Sequence, residues 1–426
     1  MKTPVFPRYL VSFVPRAMMA IVALMAMLFF AGITHASSAH APIVIQSDSD
    51  FTNCHCVVSG KGTQTSPYII GPWTINNVNG NAVYIDGTSL TKSFELLNLT
   101  IAGNSTSPDF GIHLNHINPS GTQAIVAKVY GAQTSIQTNN VGVLVENSNY
   151  VTLDGAGENP KGPGIAETGA GTINKNMSGA IDVESSSHIT VEGWQMSTNG
   201  GDHNPDWVTL NPDPTFWGGV GGVRFFGVTY STIDHNAANN DTDVSYSLFN
   251  SNYNTVSNNT ADYPFTMNYL ITDGSSYNTL SGNEGSTGDF IGLLLADPLP
   301  GKATKPIYAA SHDNIITNNT IHTDGPIGNE LQPTDITPAF LGGIVVLNGT
   351  YNNSITNNQT WGSFGSDLAW AQAVPDSNSA IGVKTYPPTL HCNVTASEGG
   401  GGTSNLNGNV WTGNTFQIID PCLPAQ

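Results

Sequence analysis

Positive charge is what this chain has least of. Its 426 residues carry 12 Lys and Arg against 31 Asp and Glu, a formal charge of −19, and charged residues of both signs make up only 10%. Nucleic acid and anionic membrane surfaces are bound through clustered cations, so this balance argues against both as partners. Cysteine is also scarce, at four, and only one long apolar run occurs, near the N-terminus. With so few charges, the polar surface must be built from Asn, Ser, Thr and Gly, and Gly alone contributes 46 residues. Such a composition suits turns and short strands and argues against a helical bundle. Hydrophobic residues, at 39%, suffice for a large core, and one repeat domain can reach this length.

Lys2, Arg8 and Arg16 precede an apolar run from Ala17 to Ile33, which ends in the small residues Thr34-His35-Ala36. This pattern predicts a secretory signal peptide over 1–36, since the run falls short of the roughly 20 residues that span a bilayer comfortably. The expected mature chain is secreted, extracellular or periplasmic, without a membrane span, and a monomer. Removing 1–36 takes away three cations and no acid, moves the formal charge from −19 to −22, and leaves Arg224 as the one arginine. An even number of cysteines in a secreted chain points to disulfides. Cys392 with Cys422 is the expected staple of the C-terminal tail. Cys54-His55-Cys56 leaves three readings open: a tight local disulfide, pairing with the tail, or a soft-metal site for Cu(I).

The dominant signal is a repeat, Asn-x-(Ile/Val/Leu)-x-x-Asn. It appears at Asn254–Asn259, Asn278–Asn283, Asn314–Asn319 and Asn353–Asn358, with late and partial copies at Asn409–Asn414 and Ser231–Asn236, and weaker ones at Tyr150–Gly155 and His188–Gly193. Ile233, Val256 and Leu280 are 23 and 24 residues apart, and later gaps of 36 and 39 read as one coil plus an insertion. A second short strand recurs between copies, as in Val143–Val145, Ile181–Val183, Val223–Phe225 and Ile344–Val346. One such period cannot bury its own apolar face, so successive periods must stack, about 4.8 Å apart. The recurring Asn then form hydrogen-bonded ladders. The prediction is an all-β parallel β-helix solenoid.

With these motifs, the chain resembles the right-handed parallel β-helix repeat proteins of the pectin-lyase-like superfamily, and more narrowly the NosD-like, carbohydrate-binding-and-sugar-hydrolysis type. Ser59–Ile70, Trp73–Ile75 and Phe94–Ile101 resemble the segments that open such domains. The resemblance covers roughly 43–390. It implies an N-terminal cap over 37–70, a β-helix over 71–390 and a C-terminal cap or tail over 391–426, held by a disulfide. It does not imply a chemistry. The superfamily's adjacent Asp-Asp, Gly-His-Gly, Arg-x-Lys and Asp-Pro-His-Glu patterns are missing.

A solenoid carries function on insertions and on one lateral face. Insertions fall at 200–219, 324–341 and 361–379, with another at 297–311. Acids recur just after the Asn corner of successive coils: Asp241 and Asp243, Asp262, Asp289, and Asp324 with His322. The first insertion adds Asp202, His203, Asp206, Trp207 and Trp217, and Tyr263, Trp361 and Trp370 lie nearby. If stacking brings the acids to one face, Asp241, Asp243, Asp262 and Asp289 supply an acid/base pair. The same carboxylates could instead bind Ca²⁺, or form a solvated acidic stripe with no role. The tryptophans, Asp202, His203, Asp206, His322 and Asp324 would hold substrate, since aromatic faces stack on sugar rings. Arg224 suggests a catalytic base, but Asp182 occupies the equivalent strand position one coil earlier and is its expected partner. A chain at −22 holds a polyanion poorly, so neutral glycans are the expected ligands. Three functions stay open: a glycan-binding or glycan-cleaving protein, a non-enzymatic surface rod, and a periplasmic copper-handling protein.

Overall fold

The computed structural model describes residues 38–78, 80–104, 110–155, 171–176, 178–200, 221–241, 244–264, 267–288, 291–296, 310–322, 342–347, 349–363, 366–371, 373–375, 383–385 and 408–417. The described residues belong to one compact unit. Among the described residues, no helix is long and apolar enough to cross a membrane.

Each coil of the body contributes three short strands, and each pairs in parallel with its counterpart one coil on; the antiparallel pairs among the described residues are Val57–Ser59 with Tyr68–Ile70 and Ala373–Pro375 with Val383–Thr385. One coil reads Val244–Phe249, Thr255–Ser257, Thr260–Asp262; the next reads Met267–Thr272, Thr279–Ser281, Glu284–Ser286. The outcome is three long sheets. Sheet one runs from Ile43–Ile45 to Ser366–Ala371, sheet two from Val57–Ser59 to Val410–Thr412, and sheet three from Ser38–Ala39 to Gln359–Trp361. This is a parallel β-helix, as the repeat predicts. The segment 37–70 supplies the first strand or strands of all three sheets. It also holds a short helix, Asp50–Asn53, whose Phe51 is buried against Tyr68 and Phe94. Cys54 and Cys56 are bonded to each other, so in this state neither offers a thiolate to a soft metal. Cys392 and Cys422 lie outside the described residues.

The repeat acts through register. Ile233, Val256, Leu280, Ile316, Ile355 and Trp411 stand in one column of sheet two, all buried. The wider gaps before Ile316 and Ile355 therefore close on adjacent coils. The two Asn of each repeat form two ladders, one at each end of the short strand. Asn283 shows why Asn is required. Its Oδ1 accepts from Asn259 N and Nδ2, both at 3.0 Å, and its Nδ2 donates to Val256 O and Asn319 Oδ1, both at 2.9 Å. Those four bonds use the full capacity of an amide side chain. The residue before it turns the corner with positive φ, 66° at Gly282 and 55° at Asn258, a conformation that Gly and Asn adopt most readily. Asn283→Leu would leave the buried Asn259 N–H and one Asn259 side-chain N–H without an acceptor, at roughly 1–3 kcal/mol for each orphaned group. A fall in urea midpoint of that order is expected; an unchanged midpoint would show that the ladder contributes nothing.

Candidate functional site

Of the predicted catalytic acids, Asp241 and Asp262 fall among the described residues, and these two do not share a face. Asp262 lies on the outer face of sheet three, in a column of Asn239, Asp262, Ser286, His322 and Trp361. Its Oδ1 accepts from the Ser286 hydroxyl and from Thr287 Oγ1 at 2.6 Å. His322 stands two coils further on, about 10 Å away by strand spacing, and stacks on Trp361 at 4.8 Å and 6°. Asp241 corrects the expectation of one acidic face. It is fully buried and forms the last rung of another ladder, Asn139–Asn176–Asn199–Asp241. Its Oδ1 accepts from Asn199 N at 2.9 Å and Nδ2 at 3.0 Å, while its Oδ2 is buried without a partner. Burial pushes its pKa up to about 7. A carboxyl enclosed in this way cannot meet substrate. Asp202, His203, Asp206, Trp207, Trp217, Asp243, Asp289 and Asp324 lie outside the described residues.

The structure gathers a different set on the outer face of sheet one. Asp182 and Arg224 are direct register partners, as their strand positions suggest. Arg224 donates from Nε to Asp182 Oδ1 at 2.9 Å, and its Nη2 reaches both Asp182 Oδ2 and Glu184 Oε1, the latter at 2.6 Å. The Arg224 and Asp182 side chains are only 4% and 6% exposed, whereas Glu184 is 34% exposed. On the neighbouring strand, Glu146 is the register partner of Glu184 and meets His113 Nε2 at 2.8 Å. These five residues, with Phe110, line a cleft of about 370 Å³.

The cleft sets its own proton affinities. Glu184 is pushed up to about 7, first by burial and then by the Asp182 carboxylate, with Glu146 adding repulsion and Arg224 opposing the rise. One cation thus serves two acids, and the more exposed acid keeps a proton that an ordinary glutamate would have lost. A carboxyl protonated near neutrality can donate that proton to a leaving group. Glu146 offers a second carboxyl on the next strand. Among the described residues no cluster of His, Cys, Asp and Glu fits a metal ion, and expected Ca²⁺ ligands lie partly outside them.

Sequence reasoning pairs Asp182 with Arg224 and passes over Glu184, Glu146 and His113. The available signal is period-two alternation: Glu184 and Glu146 occupy the outward position next after Asp182 and Leu144. A second feature is likewise absent from the expectations. Tyr150, His188, Tyr230, Tyr253, Tyr277, His312 and Tyr351 form a row of rings along one outer corner, with centroids 4.5–5.7 Å apart; all neighbours are stacked except Tyr277 and His312, which meet edge to face at 86°. From Tyr150 to Tyr277 the ring faces are turned to one another, which leaves mainly their edges to solvent.

No family model and no curated protein sequence matches this chain. Three solved structures are similar to it in part. They are the Dettilon tailspike protein (13% identity, TM-score 0.38, 82% of this chain and 61% of that one), the enzymatically active domain of bacteriophage CBA120 tailspike protein 2 (8%, 0.27, 80% and 41%), and the A-module of Azotobacter vinelandii mannuronan C-5 epimerase AlgE4 (13%, 0.24, 96% and 94%). The chain spans about 61% and 41% of the two tailspike chains. Likenesses at this level assign no ligand and no reaction to it.

Proposed function

We propose that this chain is a secreted β-helix that binds extracellular polysaccharide and cleaves it in the sheet-one cleft. The observation that carries the reading is Glu184, poised near neutrality between Arg224 and a second carboxyl in an open cleft. Glycoside hydrolysis needs such a pair, one carboxylic acid to protonate the leaving oxygen and one carboxylate to act on the sugar or on water. In this scheme Glu184 is the acid, Glu146 the carboxylate, and His113 orients Glu146. Arg224 and Asp182 set the proton affinity of Glu184 from behind. The leader over 1–36 directs export. The surplus of acids favours neutral glycans over polyanions.

The test is to incubate chain 37–426 with neutral and acidic polysaccharides, with and without Ca²⁺, and to measure new reducing ends and unsaturated products. Turnover of a neutral polymer is expected. It should fall as pH rises through about 7, because Glu184 then loses its proton. Glu184→Gln should lower turnover by roughly 100- to 10,000-fold, the usual contribution of a positioned proton donor. Unchanged turnover in that variant would remove Glu184 from the mechanism.

A further inference from the structure

Sheet two changes character along the helix. Its outward residues are acidic in the earlier coils, where Asp154, Glu192 and Asp234 stand in one column. From Thr255 onward the charge vanishes. The outward pairs are then Thr255 and Ser257, Thr279 and Ser281, Ile315 and Thr317, Ser354 and Thr356, and Val410 and Thr412. These side chains are exposed or half-buried, with Ile315 45% and Val410 49% exposed.

The pairs form a two-dimensional lattice. No register shift interrupts these strands, so rows repeat about every 4.8 Å along the axis and columns lie about 6.6 Å apart across the strand. The face is about 19 Å long over its four steps. It is also stiff, because each strand is held at both ends by the fully bonded Asn ladders. Hydroxyls touch along a column, with Thr356 Oγ1 donating to Thr317 Oγ1 at 3.2 Å.

We propose that this face binds crystalline water, that is, the surface of ice. A periodic surface gains most from a partner that is itself periodic, because every added row brings another contact without a new ordering penalty. Ionic groups would hold liquid water in hydration shells of their own, and the outward pairs from Thr255 onward include none; the Asp234 carboxylate touches only the first row, through Ser257. Hydroxyls paired with methyl-bearing side chains can anchor water at fixed spacing while excluding disordered water between them. A crystalline polysaccharide is the other periodic solid. It would call for open aromatic faces, and the rings beside this sheet are stacked on one another, Tyr230 on Tyr253 at 8° and Tyr253 on Tyr277 at 4°. The proposal is independent of the sheet-one cleft.

The experiment grows ice slowly from a dilute solution of chain 37–426 and compares protein in the ice with protein in the remaining liquid. Inhibition of ice recrystallisation is the second readout. The wild-type chain should be enriched several-fold in the ice, as an inert globular protein is not. Thr279→Lys with Thr356→Lys places two cations on the lattice and should return the partition to that of the inert protein, with an unchanged melting midpoint showing the fold intact. Thr190→Lys, on the acidic coils of the same sheet, should partition as wild type does. Exclusion of the wild-type chain from ice would overturn the proposal, as would ice binding that survives the double lysine variant. Exclusion from ice together with adsorption to crystalline cellulose or chitin would overturn it in favour of a polysaccharide surface.

Discussion

Asp241→Asn should make this protein more stable, and the gain should grow with pH. The Asp241 carboxyl occupies a rung that Asn139, Asn176 and Asn199 fill in the preceding coils. Its Oδ1 accepts two bonds, as an Asn oxygen would, but its Oδ2 stands where the amide nitrogen should donate. The equivalent nitrogen of Asn199 donates to the Ile173 carbonyl, and register places Met196 in that role for Asp241. A protonated Asp241 can supply that one donor; an ionised one sets two lone-pair groups against each other. The sign follows directly. The folded-state pKa is raised from 3.8 to about 7, so the contribution to stability is complete below 3.8 and is lost as pH climbs toward 7. At pH 8 the penalty is on the order of 4 kcal/mol, because a tenfold change in proton affinity is worth about 1.4 kcal/mol. Asn carries no such penalty. Urea midpoints for the two proteins should nearly coincide close to pH 4 and separate by pH 8. If the wild type and variant keep parallel pH profiles, Asp241 is not the titrating rung.

Arg224→Leu should be among the most damaging single changes in the chain. It would leave Asp182, at 6% side-chain exposure, with no cation, and deprive Glu184 of its strongest donor. Breaking a buried pair from one side costs roughly 3–5 kcal/mol, mostly for the charge left behind. Replacing both partners, as Asp182→Leu with Arg224→Met, should cost less than Arg224→Leu alone. Chemical denaturation of the two variants checks that order. The reverse order would mean that the pair contributes attraction beyond its desolvation. Arg224→Lys should not rescue the single loss, because one ammonium cannot reproduce the forked contact to Asp182 through Nε and Nη2. Losing Arg224 should also raise the proton affinity of Glu184 further, since its cation now opposes the rise. Any remaining turnover would then persist to higher pH.

Much of the architecture was legible in the residues. Asn at a fixed offset from an apolar residue is a demand that only stacked, in-register coils meet, so the ladders of Asn254–Asn409 and Asn259–Asn414 could be expected before any coordinates. The Asp182–Arg224 pair was legible for the same reason, since both sit at the middle of the same strand pattern. The aromatic stack could have been read too, because Tyr230, Tyr253 and Tyr277 each precede a rung residue: Ser231, Asn254 and Asn278. The inward turn of Asp241 could not. Its strand carries only the second half of the repeat, apolar-x-x-Asn, as in Ile136-x-x-Asn139, Ile173-x-x-Asn176 and Met196-x-x-Asn199, and an acid in place of the Asn reads as an outward residue until the ladder is seen.

By itself, then, the sequence determined the coil, its period and which residues become neighbours along the axis, because a solenoid contacts only its adjacent repeats and repetition encodes those contacts. Only the tertiary structure decided direction and environment: Asp241 inside, Asp262 outside, Glu184 beside Arg224 with a proton kept near neutrality. Those properties arise from burial and from charges on several strands acting together, and no single period of the chain contains them.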